Sequence, residues 1–280
     1  MPHPLLDCAA IDGSPDQYLR SIGTVFAEFG RLTQDSGNVS YGVRIDGTPF
    51  FVKTAGYPAD PLPHLRHAAR VALLRNAARL HASLNHPIVP PLLRVIESPS
   101  GPLLVYPWAD GELLGVPRDR RDDPDSPFQR FRRLPAPAIA RCLDAIYDLH
   151  ARLARAGWVA CDFYDGCLIY DFAAERLAVI DLDTYHAGPF RNDMGRMFGS
   201  TRFMAPEEFE LGARIDERTT VFTMGRTALV FLSDGSLAAD RFRGSRAQFD
   251  VISRAVQPDP DQRYDGVAAF YRAWRAPQTG

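Results

Sequence analysis

Three side chains of this 280-residue chain stand out by type and position. Lys53 is the one lysine among 32 cationic residues, the other 31 (32 − 1) being arginine. A chain that uses arginine this freely and keeps a single lysine points to a place where a compact ammonium is needed and a wide, planar guanidinium does not fit. Asp162 follows an apolar stretch in Trp158-Val159-Ala160-Cys161-Asp162, and Asp181 ends another in Ala178-Val179-Ile180-Asp181-Leu182-Asp183. Phosphoryl transfer needs a cation on phosphate oxygens, a carboxylate to orient the accepting hydroxyl and a carboxylate to hold Mg²⁺. Taken singly, each residue has a plainer account: Lys53 as a solvated strand residue, the aspartates as turn caps.

The pattern around these residues predicts the elements that position them. Ser14-Pro15-Asp16-Gln17 is a helix start, with Ser as cap, Pro at the first helical position and Gln three after the cap. Tyr18, Leu19 and Ile22 carry that helix to about Ser21–Gly23. Val39, Tyr41, Val43 and Ile45 alternate with polar or small residues, Asp46-Gly47 is a hairpin signal, and Phe50–Lys53 is the return strand. Residues 65–84 read as a helix with an apolar stripe through Leu65, Ala69, Leu73, Ala77, Leu80 and Leu84, ended by Asn85-His86-Pro87. Residues 92–96 and 103–106 are strands around a Ser98–Pro102 turn. The polar stretch 111–136 is a surface loop or a partly ordered helix. Ile139, Cys142, Leu143, Ile146, Leu149, Leu153 and Ala156 mark a long helix ended by Gly157. Short strands at 168–170 and 177–180 follow, then helices over 219–233, 246–257 and 265–275. Strands come first and helices second, which predicts an α+β, bilobal arrangement with a hinge near Tyr106–Gly111.

Composition narrows the class. Hydrophobic residues make up 46% and charged residues 24%, ordinary values for a globular chain, which excludes a disordered or low-complexity protein. A net charge of −2 and a pI near 6.4 give no global basic field, so neither nucleic acid nor an anionic membrane is expected as a partner. There is no apolar run of transmembrane length, and the first residues lack the basic and apolar regions of a signal peptide. Cys8, Cys142, Cys161 and Cys167 are too scattered for a disulfide framework or a zinc site, so reduced thiols and a cytoplasmic location are expected.

Over roughly residues 24–275 the chain resembles the eukaryotic-like (Hanks-type) Ser/Thr protein kinases found in bacteria. The strongest piece is Gly199-Ser200-Thr201-Arg202-Phe203-Met204-Ala205-Pro206-Glu207, similar to the G-T-x-x-Y-M-A-P-E end of an activation segment. Pro258-Asp259-Pro260-Asp261-Gln262-Arg263 resembles the late D-P-x-x-R motif, Asn85-His86-Pro87-Ile88-Val89 the H-P-N-I-V run, and Leu104–Leu113 the hinge. The resemblance implies a kinase-like fold, with residues 1–23 an N-terminal extension, 24–108 the β-rich N-lobe and 109–280 the helical C-lobe. It implies ATP and Mg²⁺ (or Mn²⁺) as cofactors and a protein hydroxyl as acceptor. It makes Asp162 the catalytic aspartate, Lys53 the phosphate-binding lysine and Asp181 a metal ligand. Ser36, Gly37 and Val39 fall on the phosphate loop. Tyr106 and Trp108 fall on the hinge, where adenine would use the Tyr106 carbonyl and the Trp108 N–H because Pro107 has none. Arg263 and Glu207 are expected to form a buried structural ion pair. Ser200 stands where a hydroxyl touches the catalytic aspartate, which favours Ser/Thr acceptors.

Departures from the pattern are equally specific. Of three phosphate-loop glycines only Gly37 remains in Gln34-Asp35-Ser36-Gly37-Asn38-Val39, as in small-molecule phosphotransferases. The helix-C glutamate falls on Ala77, and no acidic residue lies between Pro61 and Ile96. The H-R-D motif is Ala160-Cys161-Asp162, without the arginine that docks an activation-loop phosphate. The catalytic-loop lysine falls on Tyr164, and the metal-binding asparagine falls on Cys167, a poor ligand for a hard cation. D-F-G is Asp181-Leu182-Asp183, so Asp183, or second Asp165, is the candidate for the missing metal oxygen. Thr220 replaces an aspartate at the central C-lobe helix. Three functions follow: an active Ser/Thr protein kinase of divergent type without the H-R-D arginine, a small-molecule kinase of the aminoglycoside-kinase kind, or a pseudokinase serving as a binding or scaffold module.

Overall fold

A computed structural model describes residues 2–30, 36–59 and 65–276. Gln34 and Asp35 of the phosphate-loop motif lie outside the described residues. The protein is mixed α+β and divides into two compact units, Met1–Ala109 and Asp110–Gly280.

The first unit runs α1 (Pro15–Ile22), β1 (Thr24–Phe29), β2 (Val39–Ile45), β3 (Thr48–Thr54), α2 (His67–Ala82), β4 (Arg94–Ile96) and β5 (Leu103–Pro107). Its strands form an antiparallel sheet in the order β1-β2-β3-β5-β4. The β2–β3 hairpin turns at Asp46 (φ 47°) and Gly47 (φ 82°), the two positive φ values its tight turn requires. The period-two pattern sends Tyr41, Val43, Ile45, Phe50 and Val52 to one face, where Leu5 and Leu19 from the N-terminal segment pack on them. The opposite face meets α2 through Ala55, Leu74, Ala77, Leu104 and Tyr106. The α2 helix is shorter than its apolar stripe predicts because the approach to His86-Pro87 takes its last residues out of helical geometry, with Ser83 as the C-cap. β4 begins at Arg94 and not at 92, the backbone being disrupted by the preceding prolines, Pro90 and Pro91.

The second unit contains β6 (Glu112–Leu113), α3 (Pro127–Arg132), α4 (Ala136–Arg155), β7 (Trp158–Val159), β8 (Leu168–Asp171), β9 (Arg176–Val179), β10 (His186–Ala187), β11 (Phe190–Arg191), β12 (Arg214–Ile215), α5 (Glu217–Leu232), α6 (Arg246–Ala255) and α7 (Val267–Arg275). The polar stretch 111–136 is thus partly helical: Ser126 accepts the Gln129 N–H at 3.2 Å and starts α3. The core is built on α5, which buries nearly every residue from Thr219 to Leu232. α4 packs on α5 and α7, with Tyr147 edge-on to Phe270 (4.8 Å) and Trp274 (5.1 Å). Among the described residues no helix is long and apolar enough to cross a membrane.

Candidate functional site

In the second unit, Asp162 sits just past β7, whose pairing with β10 sets the level of the loop (Val159↔His186). Three hydrogen bonds hold this loop. The Ala160 N–H donates to Thr220 Oγ1 at 3.1 Å from the first turn of α5. Thr184 Oγ1 donates to the Cys161 carbonyl at 2.9 Å. The Cys167 thiol donates to the Asp162 carbonyl at 3.4 Å. Asp162 (φ 57°) and Asp181 (φ 61°) both occupy the left-handed region, which residues other than glycine adopt rarely, asparagine and aspartate being among the few that do so with ease. The Ile180 N–H donates to the Cys167 carbonyl at 2.9 Å, so one residue bonds to both aspartate-bearing segments.

Cys167 itself is 1% exposed, and burial, with the Asp181 and Asp162 charges behind it, pushes its thiol well up. It is a neutral donor here, not a metal ligand. Tyr164 is raised first by burial and then by Cys167, Asp162 and Asp181, which keeps its phenol protonated among carboxylates. Asp165 forms a buried ion pair with Arg202, which leaves it poorly placed as a metal oxygen. Asp181 is exposed and Asp183 is 6% exposed. Among the described residues no group of three or more His, Cys, Asp or Glu side chains could hold a metal ion by itself. Mg²⁺ ordinarily takes one or two carboxylates and completes its shell with phosphate oxygens and water. Asp181 and Asp183 are the two carboxylates that this segment offers.

The segment 199–208 approaches the same loop. A methyl group placed on Gly199, whose φ is 132°, would lie 3.5 Å from Asp162 Oδ1. The expected Glu207–Arg263 pair forms, at 2.6 and 2.9 Å, with Arg263 1% exposed. Glu208, which the sequence reading missed, is equally buried. Its Oε2 accepts the Ala205 N–H at 2.6 Å, and burial, opposed by that bond and reinforced by the Glu207 and Asp162 charges, pushes its carboxyl up to about 8. The Ala-Pro-Glu-Glu run itself was the available signal, a second acid with no solvent face of its own.

In the first unit, Lys53 lies on β3 between Ser40 and Leu104 and is 8% exposed. Burial and then the Lys53 charge hold His81, on α2, down to about 4. Thus α2 offers the lysine a neutral imidazole where a helix glutamate was sought, and Ala77 is core. Arg70 was also missed. It is a fully buried arginine on α2 that donates to the carbonyls of Gly37 and Tyr57, tying the loop to the helix. Ser36 Oγ accepts the Asn38 N–H at 3.3 Å, Gly37 has φ 87°, and Val39 is buried at the start of β2.

Around these residues the sheet carries aromatic rings. Trp108 meets Phe26 at 4.9 Å, Phe29 at 6.3 Å and Phe51 at 6.5 Å, and Phe51 meets Tyr106 at 6.5 Å. Gly42 makes room for them: a methyl there would lie 2.8 Å from both the Phe26 and Trp108 rings. The Trp108 N–H donates to the Pro49 carbonyl at 3.2 Å, extending the β3–β5 ladder. It therefore has an acceptor within its own unit.

No family model matches this chain, and no curated protein matches it.

Proposed function

We propose that the chain is an ATP-dependent phosphotransferase of the kinase-like α+β fold, acting on a protein hydroxyl. The observation that carries this reading is the double attachment of Cys167, by thiol to Asp162 and by carbonyl to Ile180, which fixes two left-handed aspartates relative to each other. Two such backbone conformations on chemistry-bearing residues are a typical sign of function. In this reading Asp162 orients the acceptor hydroxyl and takes its proton, Asp181 with Asp183 holds Mg²⁺, and Lys53 contacts phosphate oxygens. Bound Mg·ATP supplies the transferable phosphoryl group and the charge that offsets its oxygens. Tyr164, held protonated, presents a neutral hydroxyl donor where a lysine would present a charge.

A second reading has its own observation. The Trp108 N–H is bonded to Pro49 and the Phe51 ring packs with Trp108 and Tyr106, which supports a binding module that takes no purine. The test is ATP binding and phosphate transfer with Mg²⁺ or Mn²⁺ for the wild type, Lys53→Met, Asp162→Asn and Asp181→Asn. Metal-dependent labelling abolished in all three variants, with circular dichroism unchanged, is the expected result. A wild type that neither binds Mg·ATP nor labels a substrate would sink the enzyme reading in favour of the second.

A further inference from the structure

The second unit carries a concentration of arginine that the aspartate site leaves unexplained. Arg202 and Arg132 lie against one phenyl ring, that of Phe128, at 5.2 and 5.4 Å from its centroid. The Phe128 ring is 4% exposed, so it acts as a wall that shields one face of each guanidinium from water. Arg121 joins them through α3, its carbonyl accepting Gln129 Nε2 at 2.8 Å. The same Gln129 takes a bond from Arg132 at 3.2 Å through its other amide atom. Arg202 uses one terminal nitrogen on Asp165, three residues beyond Asp162.

The donors here outnumber the acceptors. The buried Nε atoms of Arg121, Arg132 and Arg202 have no hydrogen-bond partner among the described residues. Those atoms lie below the surface, so the donors left for an acceptor from outside the chain are terminal nitrogens: among the described residues Arg121 bonds through neither of its two and Arg202 through only one. Like charges add to this. Burial and then the Arg202 charge push Arg121 down, and burial and then Arg202 push Arg226 down. The acids in reach are the buried Asp165, already held by Arg202, Asp234, which acts on Arg132 but is paired with Arg241, and the exposed Asp122 on the neighbouring loop. An oxyanion, with its lone pairs and bidentate geometry, is what guanidinium groups in this arrangement accept best.

We propose that Arg121 and Arg202, backed by Arg132 and Phe128, form an oxyanion subsite that takes a carboxylate or phosphate group on the acceptor peptide. The inference rests on the phosphotransferase reading for its choice of a peptide, since Asp165 connects the subsite to the Asp162 loop. It makes the acceptor an acidic or already phosphorylated segment.

Direct binding tests this without any turnover. The full chain is titrated, with no ATP present, into a fluorescein-labelled peptide that carries one serine flanked by glutamates, and into its counterpart with glutamine at each glutamate. A third peptide carries phosphoserine among the glutamines. The acidic and phosphorylated peptides are expected to bind at least ~10-fold tighter than the neutral one, and added salt is expected to weaken only those two. Arg121→Ala removes a side chain with no hydrogen bond among the described residues and is expected to bring all three to the neutral level, with the melting temperature unchanged. Inorganic phosphate, the other source of the same chemistry, is expected to compete only at millimolar concentration. Equal affinities for charged and neutral peptides, absence of peptide binding, or an acid preference that survives both Arg121→Ala and Arg202→Gln would overturn the subsite. An acid preference that depends on Arg121 in a chain without ATP turnover keeps the subsite and removes the phosphotransferase reading. Metal-dependent labelling with no acid preference does the reverse.

Discussion

The thiol of Cys167 donates to the carbonyl of Asp162 at 3.4 Å, in a position where an oxygen ligand for metal was looked for. The side chain supplies the hydrogen bond that closes the loop and offers a metal no oxygen. Cys167→Ala breaks that bond and leaves a small cavity, so a loss of about 1–2 kcal/mol is expected. Asp162 would then lose one of the restraints on its left-handed backbone. Cys167→Asn restores a donor and adds an oxygen. If Asp183 already provides the second metal contact, Cys167→Asn changes metal dependence little and Asp183→Ala damages it. Mg²⁺ titration of ATP binding in the two variants distinguishes these results, and a marked gain from Cys167→Asn would show that Asp183 is not a ligand.

Arg263 offers a stability prediction with a sharp control. All five of its N–H donors have acceptors: Glu207 twice, and the carbonyls of Gln257, Pro258 and Arg218. Glu207 also accepts from Thr219 Oγ1 at 2.8 Å. Arg263→Ala leaves a buried carboxylate without its counter-charge and is expected to cost about 3–5 kcal/mol. Arg263→Lys keeps the charge but has three donors and no planar fork, so it recovers only a minor part. Urea unfolding of the three proteins checks the ranking, and full recovery by lysine would show that charge alone matters there.

This pair was legible in the sequence because both partners stand in recognisable motifs. So were the β2–β3 hairpin, whose Asp-Gly turn admits few alternatives, and the long α4 stripe. Arg70 and the Arg121–Arg202 cluster were not legible, for a shared reason. In a chain with 31 arginines among 32 cationic residues, residue type does not distinguish a buried arginine from a solvated one; only packing does. The partner of the Trp108 N–H was hidden for a related reason. That partner, Pro49, is decided by how far the β3–β5 ladder continues, a property of sheet register that side-chain patterns near 108 do not carry.

Gly42 tests the aromatic face of the first unit. Its backbone is ordinary, so what matters is space: a Cβ would meet the rings of Phe26 and Trp108 at 2.8 Å. Gly42→Val drives those rings apart and is expected to cost about 1–3 kcal/mol by overpacking. The Trp108 indole would move toward solvent, giving a red-shifted tryptophan emission that Trp108→Phe abolishes. An unchanged spectrum and midpoint would mean that the rings do not pack over β2.

Glu208 gives the pH dependence. Its carboxyl rises from an ordinary 4.5 to about 8 in the folded protein, mainly through burial. The folded state therefore binds more protons than the unfolded one between those values, and stability falls as pH rises through that window. Below it the group is neutral in both states and imposes no penalty; above it the full penalty stands. At about 1.4 kcal/mol per unit of displacement, the loss from this one group amounts to a few kcal/mol by pH 9. Glu208→Gln keeps an oxygen for the Ala205 N–H and cannot ionise. The variant is expected to match the wild type near pH 4 and to melt several degrees higher at pH 9, with the difference growing between. A difference that stays constant with pH would place the Glu208 ionisation outside this window. It would also remove the charge of Asp162 as a neighbour that matters to it.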